Sequence, residues 1–387
     1  MMGNGNGRSR RNGAKGTGHE RVLITGGAGF IGTNLADRIV GEGRKVVILD
    51  NLSRAGVEQN LEWLLQRHGS RIEVITGDVR DMETVRRAVI GVSQVFHFAA
   101  QVAVTTSIID PQHDFEVNAR GTLNLLLALR EMPNPASVVY TSTNKVYGAL
   151  ADVGLEIADG RYQPLDARIR ARGLDESRSL DFHSPYGCSK GTADQYVIDF
   201  ARTLGVPGVV FRMSCIYGPH QFGTEDQGWV AHFLIRALAG DPLTIYGDGR
   251  QVRDVLFVED LVDAFLLAQQ HMPKIAGEAF NIGGGPQCTT SLIELMERIE
   301  QVTGARPSYT HAESRPGDQR YYVSDPSKFQ AATGWWPKVG LDAGLTALHE
   351  WLTGSNAALP RRVASRRTSW VARRPEAAPV VTVAGDA

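Results

Sequence analysis

The sequence predicts an α/β protein built on a doubly wound parallel sheet of the Rossmann type. From Arg21 onward, short runs rich in β-branched residues alternate with longer segments of helical periodicity. That rhythm is typical of parallel strands covered by helices on both faces. A glycine pattern directly follows the first run, and the rhythm becomes irregular after residue 212. We therefore expect a smaller C-terminal lobe beside the sheet.

The β-branched runs predict six strands of the sheet, at residues 22–25, 45–50, 72–76, 95–98, 138–141 and 209–212. Later segments predict strands at 243–246 and 279–282, and helices at 229–239, 258–270, 292–302 and 344–352. The polar stretch 149–184 is too long for a simple connection and is interpreted as a functional insertion. Ligands of open α/β sheets bind at the carboxyl ends of the strands, so we expect the substrate between the sheet and the lobe.

Composition indicates an ordinary globular protein, with 42% hydrophobic and 21% charged residues in a chain of 387. No apolar run is long enough to cross a bilayer or to serve as a signal peptide, so a cytoplasmic location is expected. Cys188, Cys215 and Cys288 have no metal-ligand spacing and are interpreted as reduced thiols. His97, His113 and His183 show no such spacing either, and no metal is expected.

Both ends of the chain are rich in arginine without helical or strand periodicity. Residues 1–20 and 355–387 are therefore predicted to be disordered basic tails. Clustered arginine also gives some affinity for phosphate, so weak attachment to nucleic acid is a less favoured alternative. The tails lack the interleaved aromatic residues that would strengthen it.

The glycine pattern predicts a dinucleotide site. Gly26, Gly29 and Gly32 lie between the first strand and a helix, where a tight turn lets a pyrophosphate approach the helix N-terminus. Asp50 ends the second strand, where a carboxylate can accept a hydrogen bond from a ribose 2′-hydroxyl and repel a 2′-phosphate. NAD is therefore favoured over NADP, although nearby Arg54 could offset that repulsion. Further candidate cofactor contacts follow the glycines and the next strand ends, at Phe30, Ile31, Asn51, Asp78, Val79 and Ala99.

A tyrosine and a lysine four residues apart predict a catalytic pair. Tyr186 and Lys190 fall on one face of a predicted helix. The ammonium could lower the phenol's pKa and make Tyr186 a base, and Lys190 could also hold the nicotinamide ribose. Thr143, near the end of the fifth strand, could bind the same sugar oxygen. The predicted catalytic residues are therefore Thr143, Tyr186 and Lys190.

The chain resembles the extended short-chain dehydrogenase/reductase family of NAD-dependent epimerases and dehydratases over roughly residues 21–353. The resemblance rests on the motifs above and on four narrower segments: Ser142 to Gly148, Leu180 to Lys190, Asp226 to Val230 and Gly247 to Asp254. The narrow segments are most similar to the branch that inverts C2 of CDP-linked 3,6-dideoxyhexoses. Dehydratases of the family carry an Asp-Glu pair after the strand-end threonine, whereas this chain has Asn144 and Lys145.

The resemblance implies a transient oxidation. Tyr186 would take the proton of the C2 hydroxyl, NAD would accept the hydride, and the ketone would be reduced again on its other face. It also implies substrate contacts at Thr143, Gln227, Trp229, Tyr246, Arg253 and Arg315, the two arginines pairing with the diphosphate. A salt bridge to Asp254 or Asp318 is the alternative for either arginine.

The resemblance further implies a homodimer or homotetramer formed through helices near residues 114–130 and 186–202. The domain assignment gives residues 21–212 with about 251–283 to the NAD-binding domain, and about 213–250 with 284–354 to the nucleotide-sugar lobe. Two other functions remain open, a 4-epimerase of a UDP- or dTDP-hexose and a non-catalytic NAD-binding protein.

Overall fold

The computed structural model describes residues 21–315 and 317–354. Its strands are β1 (Arg21–Thr25), β2 (Lys45–Asp50), β3 (Ile72–Thr76), β4 (Val92–His97), β5 (Ser137–Thr143), β6 (Leu155–Ala158), β7 (Arg161–Pro164), β8 (Gly208–Met213), β9 (Cys215–Tyr217), β10 (Leu243–Tyr246), β11 (Val252–Phe257), β12 (Ala279–Ile282), β13 (Thr289–Ser291), β14 (Tyr309–Ala312) and β15 (Tyr321–Tyr322). The predicted basic tails lie outside the described residues.

The helices are α1 (Phe30–Gly41), α2 (Val57–His68), α3 (Met82–Ala88), α4 (Val104–Ile109), α5 (Pro111–Phe115), α6 (Gly121–Arg130), α7 (Ala167–Arg172), α8 (Ser184–Thr203), α9 (Trp229–Ala239), α10 (Val258–Ile275), α11 (Leu292–Thr303), α12 (Ser327–Thr333) and α13 (Leu341–Thr353). A π-helical turn, Glu116–Arg120, joins α5 to α6, and a 3-10 turn, Asn144–Tyr147, follows β5. None of the helices in the described ranges is long and apolar enough to span a bilayer.

The central sheet confirms the predicted fold class. Its strands are all parallel, in the order β12-β8-β5-β4-β1-β2-β3. Neighbouring strands β1 and β4 lead to opposite sides of the sheet, which creates the crevice where such folds bind ligands. The predicted count of six was one short, because β12 pairs with β8 and extends the sheet to seven strands.

Both faces of the sheet are buried because its strands are apolar at successive positions. Val22 and Ile24 pack on one side with helices α1, α2 and α10, whereas Leu23 packs on the other side with α3, α6 and α8. Continuous apolar runs are expected of parallel strands that helices cover on both faces. The sheet is therefore a rigid platform, and the polar residues at its strand ends are held in fixed positions.

A second hydrophobic core lies in the C-terminal half. Helices α9, α11 and α13 pack there around Leu234, Leu295 and Leu345, together with strands β9, β10 and β11. Helix α9 and strand β10 have the predicted bounds, while α13 begins three residues earlier than predicted because Gly340 serves as its N-cap. This packing is consistent with the predicted lobe, whose domain boundaries remain a prediction.

The insertion at 149–184 forms a β-hairpin, β6 and β7, followed by the short helix α7. Asp166 caps α7 by accepting hydrogen bonds from two backbone amides. Arg161 pairs with Glu294 at 3.0 Å, and Leu174 forms a bridge to Ser324, so the insertion packs on the C-terminal half. No residue of the insertion lines either of the two cavities described below.

Candidate active site

The turn after β1 requires glycine for steric reasons. Gly26 has φ +69°, and a Cβ atom there would lie 2.7 Å from the Ala99 nitrogen. A Cβ on Gly32 would lie 2.5 Å from the Gly26 carbonyl oxygen. The N-cap residue of α1, Gly29, offers no side chain to the first helical amides. The turn therefore presents backbone N–H groups and a helix N-terminus to an anionic ligand.

Asp50 reaches back to the glycine turn from the end of β2. One carboxylate oxygen accepts a hydrogen bond from the Ala28 amide at 3.0 Å, and the other accepts one from the Leu52 amide at 2.9 Å. Burial nevertheless raises the pKa of this carboxyl group. Beside it, Asn51 donates to Asp78 at 2.9 Å, and a bond from Arg80 lowers the pKa of Asp78 to about 2. The strand ends thus carry fixed acceptors suited to ribose and adenine.

A cavity of about 500 Å³ extends from the glycine turn to Lys190. All twelve predicted cofactor contacts line it: Gly26, Gly29, Phe30, Ile31, Gly32, Asp50, Asn51, Asp78, Val79, Ala99, Tyr186 and Lys190. Its walls combine a helix N-terminus, a carboxylate at a strand end and small side chains after β4. These features fit a dinucleotide such as NAD, so the residues present could hold this cofactor.

Two of the three predicted catalytic residues, Tyr186 and Lys190, line this cavity, and Thr143 lines an adjoining cavity described below. Tyr186 lies in the first turn of α8 and Lys190 one turn later, and Pro185 is the second residue of the helix. Thr143 is the last residue of β5, two residues beyond the predicted strand end, and its hydroxyl is close enough to Tyr186 to lower the pKa of the phenol. Lys190 is 3% exposed, and its ammonium lies 4.3 Å from the centre of the Tyr140 ring. The arrangement can accept a proton from a sugar hydroxyl held between Tyr186 and Thr143.

The expectation that the Lys190 ammonium lowers the pKa of the Tyr186 phenol is wrong for the protein without bound cofactor. Burial raises the pKa of Tyr186 to about 12, and the bond from Thr143 offsets only part of that effect. Burial also lowers the pKa of Lys190 to about 7. The ammonium lies over the Tyr140 ring and so does not lower the pKa of the phenol. An additional positive charge is needed beside Tyr186 to make it a base near neutral pH.

A buried polar network supports α8 and was missed from the sequence. Asn118, in the π-helical turn, donates hydrogen bonds to the Gln101 carbonyl at 3.0 Å, to Asp114 at 3.1 Å and to Ser189 at 3.0 Å. Its own amide oxygen accepts from the Gln101 amide at 2.9 Å. The loop after β4 is thereby tied to the helix that carries Tyr186. In the sequence these polar residues stand singly within a helical pattern, so no local motif indicated that they bond to one another.

A second cavity, of about 320 Å³, adjoins the first and is lined by every predicted substrate contact: Thr143, Gln227, Trp229, Tyr246, Arg253 and Arg315. Tyr186 lines both cavities, as do Phe30 and Gln227. The predicted catalytic tyrosine thus stands where a cofactor and a substrate could meet. Cys215 also lines the second cavity, and burial raises the pKa of its thiol.

The two arginines differ in their partners. Arg253 is 8% exposed and donates to the carbonyls of Val252 and Gln319, and it does not pair with Asp254. The Asp254 carboxylate instead accepts from Ser214, Ser324 and the Gly285 amide.

Arg315 has carboxylate partners in the loop before α9. It pairs with Glu225 at 3.1 Å and with Asp226 at 3.5 Å, while its guanidinium carbon lies 3.7 Å from the centre of the Tyr246 ring. The alternative partner Asp318 lies instead 3.9 Å from Lys145. A substrate phosphate would therefore compete with two carboxylates for Arg315.

The three histidines considered in the sequence occupy different environments. His97 is buried between the Thr25 and Thr122 hydroxyls, at 2.6 and 3.0 Å. Burial lowers its pKa to about 3, so the ring is neutral. His113 lines the first cavity, and His183 is the N-cap residue of α8. The three cysteines are free thiols.

Comparison with known proteins agrees with this geometry. The chain is 44% identical over 338 residues to CDP-paratose 2-epimerase of Salmonella typhi, covering 86% of this chain and 98% of the relative. It is 33% identical to UDP-glucose 4-epimerase of Mycolicibacterium smegmatis, covering 84% of this chain and 96% of the relative. Both alignments span nearly the whole length of the relatives.

Solved structures give the same result. The UDP-glucose 4-epimerase of Thermotoga maritima, with UDP-glucose, superposes with a TM-score of 0.73 at 32% identity, covering 86% of this chain and 98% of that one. The Thermus thermophilus UDP-glucose 4-epimerase, in complex with NAD, has a TM-score of 0.71 at 32% identity, covering 87% of this chain and 99% of that one. The family model "NAD dependent epimerase/dehydratase family" matches residues 22–283. The chain therefore belongs to this NAD-dependent family.

Proposed function

We propose that the chain is an NAD-dependent nucleotide-sugar epimerase that inverts C2 of a CDP-linked 3,6-dideoxyhexose, converting CDP-paratose to CDP-tyvelose. The observation that carries the proposal is the position of Tyr186, which lines both the cofactor cavity and the substrate cavity and shares the second with Thr143. The 44% identity to CDP-paratose 2-epimerase supports the choice of sugar and nucleotide.

Each catalytic side chain has a distinct task in this reaction. Bound NAD supplies the acceptor and donor of a hydride, and its oxidised ring brings a positive charge that favours the phenolate. Tyr186 takes the proton from the C2 hydroxyl and later returns it, while Thr143 orients the same oxygen. Lys190, which lines the cofactor cavity, would hold the nicotinamide ribose. The reaction has no net redox change, since the proton and the hydride both return to the sugar.

Incubation of the purified protein with CDP-paratose tests the proposal. We expect a new anomeric proton signal for CDP-tyvelose, and in D2O we expect C2 to keep its hydrogen, because the hydride returns to that carbon from bound NAD. Turnover of another nucleotide sugar without conversion of CDP-paratose would contradict the substrate assignment. The same panel should include UDP- and dTDP-hexoses.

A 4-epimerase of UDP- or dTDP-hexoses is the second candidate. It is favoured by the 33% identity to a UDP-glucose 4-epimerase and by the superposition on two others. Tyr186 and Lys190 line the cofactor cavity and Tyr186 and Thr143 line the substrate cavity, and this placement argues against a non-catalytic NAD-binding protein. The free thiols, including exposed Cys188, are consistent with a reducing compartment such as the cytoplasm.

We further propose that the protein is a homodimer or homotetramer. Large apolar side chains are exposed beside the two helices named in the prediction, namely Ile109 and Phe115 near α5 and Tyr196 on α8. Exposed apolar groups that cluster on adjoining helices are typical of an interface. Replacing Phe115 with aspartate should shift the mass measured by light scattering towards the monomer. An unchanged mass would place the interface elsewhere.

A further inference from the structure

Lys145 lies two residues after Thr143, and both residues line the substrate cavity. Lys145 belongs to the 3-10 turn after β5, and its backbone amide donates to the Thr143 hydroxyl at 3.2 Å. Its side chain is 18% exposed, and the ammonium donates to the Gly317 carbonyl at 3.2 Å. An ammonium has three N–H donors. Among the described residues only this one short bond is made, so donors remain for a ligand in the cavity.

The positive charge of Lys145 also has no close carboxylate to balance it among the described residues. The nearest carboxylate oxygen, on Asp318, is 3.9 Å away. Arg253 lines the same cavity and bonds only backbone carbonyls within the described part of the chain. Burial and, to a smaller extent, the charge of Arg253 lower the pKa of Lys145 to about 8. Two buried cations without a close carboxylate are stabilised by an anion that enters the cavity.

The position of the reacting carbon determines where that anion must lie. In a nucleotide sugar the diphosphate is attached at C1, which is bonded directly to C2, whereas C4 is on the opposite side of the ring. If the C2 hydroxyl binds Tyr186 and Thr143, the sugar-linked phosphate must lie next to them. A 4-epimerase instead keeps that phosphate a full ring away from its tyrosine. A cation two residues from Thr143 therefore suits a substrate that reacts at C2.

We propose that Lys145 binds the sugar-linked phosphate of the substrate and thereby places C2, rather than C4, beside Tyr186. The inference rests on the proposed function and identifies its specificity-determining residue. Arg253 and Arg315 then bind the remaining phosphate oxygens. Lys145 takes no part in proton transfer, because its role is to fix which carbon reaches the catalytic groups.

Binding of CDP and CMP to the NAD holoenzyme tests this role by calorimetry. CDP carries the phosphate that corresponds to the sugar-linked one, and CMP lacks it. The wild type should therefore prefer CDP by more than about 10-fold. A charge-assisted hydrogen bond is worth about 1.5–3 kcal/mol, so Lys145→Met should weaken CDP about 10- to 100-fold and leave CMP within about twofold. Lys145→Arg should keep most of the preference, and Lys274→Met, at an exposed position on α10, should change neither ligand.

Three results would overturn the inference. They are a wild type without preference for CDP over CMP, equal weakening of both ligands in Lys145→Met, and unchanged CDP affinity in that variant. Bound NAD and circular dichroism report on folding, and Lys145→Gln replaces Lys145→Met if the latter does not fold. The wild-type comparison needs no variant. If the natural substrate carries uridine instead of cytidine, the same comparison is made with UDP and UMP. A negative result in the CDP-paratose assay therefore does not prevent this binding test.

Discussion

At the scale of single residues, burial works against the ionisation of Tyr186. The pKa of about 12 in the free protein means that little phenolate exists at neutral pH. Thr143 and the charge of Arg54 lower this pKa, and the positive ring of bound NAD would add a further favourable charge. In the proposed mechanism, proton abstraction would therefore be coupled to cofactor binding.

Tyr186→Phe should abolish most of the turnover while the protein still binds NAD. Loss of a positioned general base reduces kcat by about 10²- to 10⁴-fold. The aromatic ring and its packing in the first turn of α8 are kept, so the cofactor cavity is preserved. Single-turnover NMR and NAD content provide the measurement. Tyr196→Phe, at an exposed position on the same helix, is the matched control, and unchanged kcat in Tyr186→Phe would exclude this tyrosine as the base.

At the scale of elements, the π-helical turn between α5 and α6 positions the catalytic helix. The wider turn directs the Asn118 side chain towards both Gln101, after β4, and Ser189, on α8. Asp114 accepts from the same two side chains. π-Helical turns often occur at functional sites because they redirect side chains within a helix.

Asn118→Ala should lower both stability and kcat. It leaves the Gln101 backbone groups and Asp114 short of partners, at about 1–3 kcal/mol for each unsatisfied buried group. The matched control is Asn281→Ala, since Asn281 is equally buried and bonds Tyr147 and Leu174 away from α8. Urea unfolding should show destabilisation of both variants, whereas kcat should fall only in Asn118→Ala. An equal effect on kcat would reduce Asn118 to a purely structural role.

The sequence predicted the elements more fully than their contacts. Strands β2 and β3 have the predicted bounds, because β-branched runs indicate local structure directly. Strand β4 begins three residues earlier than predicted, because the polar residues Ser93 and Gln94 interrupt the apolar pattern that indicates the strand. The pairing of β12 with β8 joins residues far apart in sequence, and no local pattern indicates it. The hydrogen bonds around Asn118 also join residues far apart in sequence. So does the contact between Lys190 and the Tyr140 ring, which keeps the ammonium away from the Tyr186 phenol.

At the scale of the whole molecule, two buried histidines couple folding to pH. Burial lowers the pKa of His97 to about 3 and that of His220 to about 4. The unfolded chain has histidine pKa values near 6.5, so it binds more protons than the folded chain between these limits. The contribution of these two histidines to the free energy of unfolding is therefore fully present above pH ~6.5 and is lost as the pH falls below that value. The slope reaches about 1.4 kcal/mol per pH unit for each histidine.

Urea unfolding at pH 7.5 and at pH 5.5 should reveal this loss, and His97→Gln should remove its share of the slope. Glutamine can still bond Thr25 and Thr122 but cannot take up a proton, so the variant should lose less stability than the wild type on acidification. His311→Gln, at an exposed position paired with the Gly247 carbonyl, controls for a histidine outside the core. If His97→Gln kept the full wild-type slope, the acid sensitivity would have to arise from groups other than this ring at the centre of the sheet.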